Sequence, residues 1–138
     1  MTAMFGILMA VLSVWDYPER QARHECLREE FVRAVRAGDT AKMEEASRSG
    51  TELLPDDPTW AYNLACALAC REKKNEALDQ LEKAIDLGFR NADVIAADAD
   101  LKCLFPQRRF KELVSYAKES RDRPILLGPL AVVNASGV

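Results

Sequence analysis

The chain has 138 residues, 49 % hydrophobic and 30 % charged, which is enough apolar material for one modest folded domain and too much for a disordered chain. Nineteen Lys and Arg against 22 Asp and Glu leave a net charge of −3, which excludes the basic footprint of a general nucleic-acid binder. Six Gly and six Pro exclude collagen-like and proline-rich classes, 20 Ala favour helix over sheet, and the single histidine, His24, leaves little for acid–base or metal chemistry.

Residues 3–15 form an uncharged run from Ala3 to Trp15 that is too short to span a bilayer and has the length of a signal-peptide apolar region. Val11-Leu12-Ser13 fits a small-residue cleavage pattern. The lack of Lys or Arg ahead of the run, and the bulk of Trp15 after it, argue the other way. Two readings stay open for residues 1–15: an export or membrane-attachment segment, or a buried helix that covers the open end of the fold. The compartment therefore stays open between cytoplasm and export, and membrane contact is expected only if this segment is an uncleaved anchor.

Residues 18–120 carry an internal period. Shifting the chain on itself maps His24 on Pro58, Gly38 on Glu72, Met43 on Ala77 and Gly50 on Ala84. The second copy is the clearer one. Asp57-Pro58 supplies an acidic cap and a proline at the first helical position. Leu64 and Leu68 then share a helix face, with small Ala61, Ala65 and Ala69 on adjoining rows. Asn75 is expected to cap the next helix, whose Ala77, Leu78, Leu81, Ala84 and Ile85 recur at helical spacing before Gly88 ends it. In the third copy a helix is expected from about Asp93 to Leu104, capped near Asn91 and stopped before Pro106. A last helix is expected from about Gln107 to Glu119, with Phe110, Leu113, Val114 and Ala117 inward and out of register with Ala77 and Leu81.

The stretch Tyr62-Asn63-Leu64-Ala65-Cys66-Ala67, with Glu76-Ala77-Leu78 and Leu81 to Phe89, resembles a tetratricopeptide repeat. Asp98 to Leu104 with Arg109 to Leu113 is similar to the degenerate hairpin that closes many bacterial arrays of that family. The resemblance covers about residues 20–118 and is weakest in the first copy, where Met43 and Ser47 stand at positions the pattern gives to Ala and a large apolar residue. It implies an all-α fold: a short, right-handed solenoid of helical hairpins. Such arrays need roughly three repeats for stability, so two repeats and a degenerate third sit near the minimum. In the first hairpin the large apolar residues are few, mainly Leu27, Phe31, Val35 and Met43.

The resemblance also implies a concave groove lined by the first helix of each pair. In the first repeat that set is Glu25, Arg28, Val32, Val35 and Arg36. In the second it is Thr59, Tyr62, Cys66, Ala69 and Cys70, and in the third Asp93, Ala96, Asp100, Cys103 and Leu104. Carboxylate capture of the kind some family members perform is not expected, because Val32 and Cys66 stand where asparagine is required. Arg28 and Arg36, two helical turns apart, suit an acidic stretch of peptide. Their alternative is a solvated face paired with Glu25, Glu29 or Asp39. Tyr62 with Val32 and Val35 suits an apolar pocket, or else packs between hairpins.

Cys66 and Cys70, one turn apart, are able to face one metal ion. A structural zinc site needs about four ligands, however, and Cys26 and Cys103 belong to other hairpins, so the four cysteines read as small packing residues. No metal or cofactor is expected. His24 and Cys26 are two residues apart and point to different sides of a helix. No phosphate loop, Ser/His/Asp set or catalytic acid pair appears, so no catalysis is expected. Residues 121–138 are punctuated by Pro124, Gly128 and Pro129, and Leu130 to Val133 reads as a strand with nothing to pair. This tail is expected to be disordered or the stub of a further domain. The function expected from these features is a protein-interaction module that holds a peptide or neighbouring domain. The alternatives are a structural spacer of a larger, exported protein and a homodimerising array.

Overall fold

A computed structural model describes residues 17–123. The expectations for residues 1–15 and for a strand at Leu130 to Val133 lie outside the described residues. Within them the chain is all-helical. The elements are α1 (Tyr17–Ala37), α2 (Thr40–Leu53), α3 (Pro58–Cys70), α4 (Lys74–Asp86), α5 (Ala92–Ala97), a 3₁₀ helix (Ala99–Leu104) and α6 (Arg108–Glu119). Helices α2, α4 and α6 begin at Thr40, Lys74 and Arg108, which are equally spaced, and the same interval separates Pro58 of α3 from Ala92 of α5. Consecutive helices α1 to α4 pack side by side, α3 packs on the 3₁₀ helix, and α6 packs on α4 and α5.

Local signals set most of the boundaries. Gly38 takes φ +65°, letting its N–H reach the Val35 carbonyl and the Asp39 N–H reach Ala34. Asp39 caps α2 by accepting from the Lys42 N–H, and Asp57 caps α3 ahead of Pro58 by accepting from Thr59. One period beyond Gly38 stands Glu72, which adopts the same left-handed conformation at φ 59° without being glycine. Asn75 does not cap α4. The helix begins one residue earlier, at Lys74, with Lys73 as a cap that makes no side-chain hydrogen bond.

The third hairpin departs from expectation in one respect. Its first helix is not continuous from Asp93 to Leu104, because α5 stops at Ala97 and Asp98 turns to an extended ψ of 117°. Asp98 then caps the 3₁₀ helix by accepting from the Asp100 N–H with one carboxylate oxygen, while the other accepts from Tyr62. A side chain that satisfies backbone donors locally competes with the helix it sits in. The last helix forms as expected, with Phe110, Leu113 and Ala117 buried and Val114 half-buried.

Packing is uneven along the chain. One large cluster joins α3, α4, α5, the 3₁₀ helix and α6 around the fully buried Leu64, Leu68, Leu81, Ile85, Ile95, Leu101 and Leu104. The first hairpin supplies only Ala34 and Met43, with half-buried Phe31, against Ala67. Two other devices attach it. The Trp60 indole, 2 % exposed, lies flat over Gly50 of α2, and the rings of Phe31 and His24 meet it edge-on. Glu44 of α2 is buried and takes salt bridges from Arg48 at 2.8 Å, Arg71 at 2.6 Å and Lys73 at 2.9 Å. Arg48 also reaches Glu76 of α4 at 3.0 Å. Burial alone would raise the Glu44 carboxyl, but hydrogen bonds from Lys73, Arg48 and Arg71 outweigh it and hold the group at about 2 instead of 4.5.

Two expectations follow from these attachments. A Cβ at position 50 would overlap the indole, so Gly50→Ala should destabilise by about 2 kcal/mol in urea melts, despite a gain in helix propensity of about 1 kcal/mol. The depressed carboxyl makes the Glu44 contribution fully present above about pH 4.5 and lost as the pH falls through about 2. Glu44→Gln should therefore cost about 2 kcal/mol at neutral pH. That gap between wild type and variant should close on acidification, and a gap constant with pH would contradict the ion-pair account.

Candidate functional site

Aromatic, basic and polar side chains from two helices face a common space in the groove between α1 and α3. Its cavity of about 470 Å³ is lined by His24, Arg28, Phe31 and Val32 of α1, Asp57 at the cap, and Thr59, Trp60 and Asn63 of α3. His24 and Phe31 are seven residues apart, two turns of α1, and so lie on one face. Their rings meet Trp60 at centroid separations of 5.8 and 6.1 Å with interplanar angles of 75° and 84°. This edge-to-face geometry suits aromatic quadrupoles and sets the floor of the groove. Val32 remains 45 % exposed at its edge. Arg28 is within 4.0 Å of Glu25, an exposed pair that leaves the guanidinium able to exchange partners.

The residues expected to line the groove separate into two groups. Arg28, Val32 and Arg36 lie along α1, where they share a shallow surface cleft with Glu25, Glu29 and Arg33. Tyr62, Cys66, Cys70 and Asp100 gather instead at the seam between α3 and the 3₁₀ helix. Tyr62 is buried, its ring stacked on Phe89 at 4.0 Å and 14°, and its hydroxyl donates to Asp98 at 2.6 Å. Val35 stays exposed on α1. Tyr62 thus packs between the second and third hairpins, the second of the two readings open to it. Ala69 and Leu104, placed in the groove by family resemblance, are core residues.

At the seam, Cys66 is buried and its thiol donates to the same Asp98 oxygen at 3.7 Å. Cys70 approaches the Asp100 carbonyl at 3.9 Å, and Cys103 donates to the Ala69 carbonyl at 3.3 Å. Burial, followed by the charges of Asp98 and Asp100, pushes the Cys66 thiol well above its usual range. Burial together with the Asp98 hydrogen bond does the same to the Tyr62 phenol. Both are therefore held protonated, as hydrogen-bond donors. His24 and Cys26 make no joint site: the imidazole faces Trp60, and the Cys26 thiol donates to Glu30 at 3.6 Å.

Sequence reasoning missed His24, Phe31, Trp60 and Asn63 as groove residues and Asp98 as the hub of the seam. The seven-residue spacing of His24 and Phe31 was the available signal for the first group. Asp98 and Asp100 read from sequence as flanking a turn-forming stretch that shapes the closing hairpin, as the cap on the Asp100 N–H bears out, but the partners that make Asp98 a hub are 36 and 32 residues away and leave no local mark. No protein family, curated protein or solved structure matches the chain.

The burial of Tyr62 has a measurable consequence. Tyr62→Phe keeps the stack on Phe89 but removes the donor to Asp98, and should cost about 1 kcal/mol. Tyr62→Ala should cost about 3 kcal/mol or more, since it empties a core site. Chemical denaturation of the two variants checks both values, and equal losses would show that the hydroxyl carries the site and the ring does not.

Proposed function

We propose that the chain is a short tetratricopeptide-type array that acts as a non-catalytic protein-interaction module, with the groove between α1 and α3 as the place where a peptide segment sits. The observation that carries this reading is the groove itself. It combines an aromatic floor of Trp60, Phe31 and His24 with an exposed Val32, a loosely paired Arg28 and the polar ends of Thr59 and Asn63. Aromatic anchors and arginine beside a polar rim are the groups that dominate peptide and protein interfaces. The equal spacing of the helix starts at Thr40, Lys74 and Arg108 supports the family assignment, since that interval matches the tetratricopeptide length.

Arg28 suits an acidic residue on the ligand, and Val32 with the edges of the aromatic rings suits an apolar one. The chemistry of such a site is recognition, and its affinity comes from a few anchors. Arg36 lies one turn beyond Val32 along the exposed face of α1, where a longer ligand would extend.

The test uses a random peptide library displayed on phage and panned against the immobilised full chain. Selected peptides should share an acidic residue next to an apolar one. Their affinity should fall by about tenfold or more for Arg28→Glu and for Val32→Asp. Both side chains are exposed, so the melting temperature should hardly change. Peptides that bind both variants as well as wild type would overturn the groove assignment.

A further inference from the structure

The seam between α3 and the 3₁₀ helix holds a group of potential ligands that the groove reading does not use. The Cys66 thiol and one carboxylate oxygen each from Asp98 and Asp100 all lie within 4.8 Å of one another. The Cys66 sulfur is 3.7 Å from the Asp98 oxygen, close to the sulfur–oxygen spacing of about 3.5 Å in a tetrahedral zinc site with ordinary bond lengths. We propose that Cys66, Asp98 and Asp100 form a binding site for a thiophilic divalent cation of the zinc class.

Two observations besides proximity support the site. The first is charge. Glu44, the buried acid of α2, has three cationic partners, whereas among the described residues no Lys or Arg lies within ion-pair distance of the half-buried Asp98 or the exposed Asp100. Two carboxylates and a thiol converge without a counter-charge, which is the electrostatic condition a cation satisfies. The second is positioning. The Tyr62 hydroxyl donates at 2.6 Å to the same Asp98 oxygen that faces the Cys66 thiol and so orients that carboxylate, the outer-layer support that tunes protein metal ligands. Asp100 is held by its own N–H, which donates to the second Asp98 oxygen at 3.0 Å.

The donor set also selects among cations. One sulfur with two carboxylate oxygens suits a tetrahedral, borderline-soft ion. Mg²⁺ and Ca²⁺ demand six or more oxygens and find too few here. Binding forms the sulfur–metal bond as the thiol proton leaves to solvent, so about one proton is released per ion bound. The expectation from sequence, which asked for about four ligands and weighed only the cysteines, did not consider this mixed set, because the two aspartates arrive from another hairpin.

The test is a titration of the full chain, reduced and stripped of metal with a chelator, with Co²⁺ as the spectroscopic probe. One equivalent should produce the sulfur-to-cobalt charge-transfer band and the strong visible bands of tetrahedral coordination. Zn²⁺ should abolish both, and Mg²⁺ should leave them. Cys66→Ser should remove the charge-transfer band, Asp100→Asn should weaken binding about tenfold or more, and Cys26→Ser, a distant exposed thiol, should change nothing. Circular dichroism checks that the variants fold. Asp100→Asn retains the backbone N–H that Asp98 caps, so it reports on the site even if Cys66→Ser is unstable. The absence of a charge-transfer band in wild type, its survival in Cys66→Ser, or unchanged affinity in folded Asp100→Asn would each overturn the proposal.

Discussion

The Trp60 indole lying on Gly50 is the contact on which the first half of the molecule depends. Burying a tryptophan removes on the order of 200 Å² from water, about 5 kcal/mol at the usual transfer coefficient. Little else joins the first hairpin to the rest through apolar contact, since its own cluster holds only Ala34, Met43 and part of Phe31 against Ala67. The indole reaches α2 because position 50 has no side chain, and the rings of His24 and Phe31 of α1 meet it edge-on. The groove is a by-product of that wedge. The same ring that fastens the hairpins together lies beneath the groove, covered by the half-buried His24 and Phe31 that a ligand would meet.

A polar fastening reinforces this apolar one. Glu44 is enclosed by Arg48, Arg71 and Lys73, and through Arg48 it is linked to Glu76. A buried carboxylate with fewer partners would be destabilising, and the hydrogen bonds it collects offset its desolvation. At the other end, Arg109 of α6 bridges Asp79 and Glu82 of α4 at 2.7 and 2.6 Å, but there a continuous apolar core lies beneath. Stability is therefore graded from the third hairpin to the first. α1, with only Leu27 and Ala34 buried along 21 residues, is the element that opens at least cost. A surface that adapts to a ligand is drawn from that end of the scale.

Asp98 plays the corresponding part in the second half. Its carboxylate ends α5, caps the 3₁₀ helix and receives Tyr62 and Cys66 from α3. It locks the third hairpin to the second by replacing one long helix with two short ones. Tyr62, stacked on Phe89 and bonded to Asp98, is the counterpart of Trp60: a large aromatic that seats one hairpin on the next.

The sequence by itself determined the helical class, the regular spacing of helix starts and most of the boundaries. These follow from local chemistry: apolar residues at helical period, Asp57 before Pro58, and the left-handed turn that Gly38 supplies. Asn75 misled because an asparagine near a helix start is a cap only if the chain enters at that residue. Here the turn through Glu72 starts the helix earlier. The final helix was legible, whereas the helix expected from Asp93 to Leu104 breaks at Asp98, whose carboxylate caps the Asp100 N–H locally and is tied to a hydroxyl 36 residues away. What only the tertiary structure decided was which side chains meet across hairpins. Helical period sorts residues into faces, but the packing of large rings in particular gaps settles which face meets which neighbour. That packing sent Tyr62 to the third hairpin, brought His24 and Trp60 together, and set two aspartates beside Cys66.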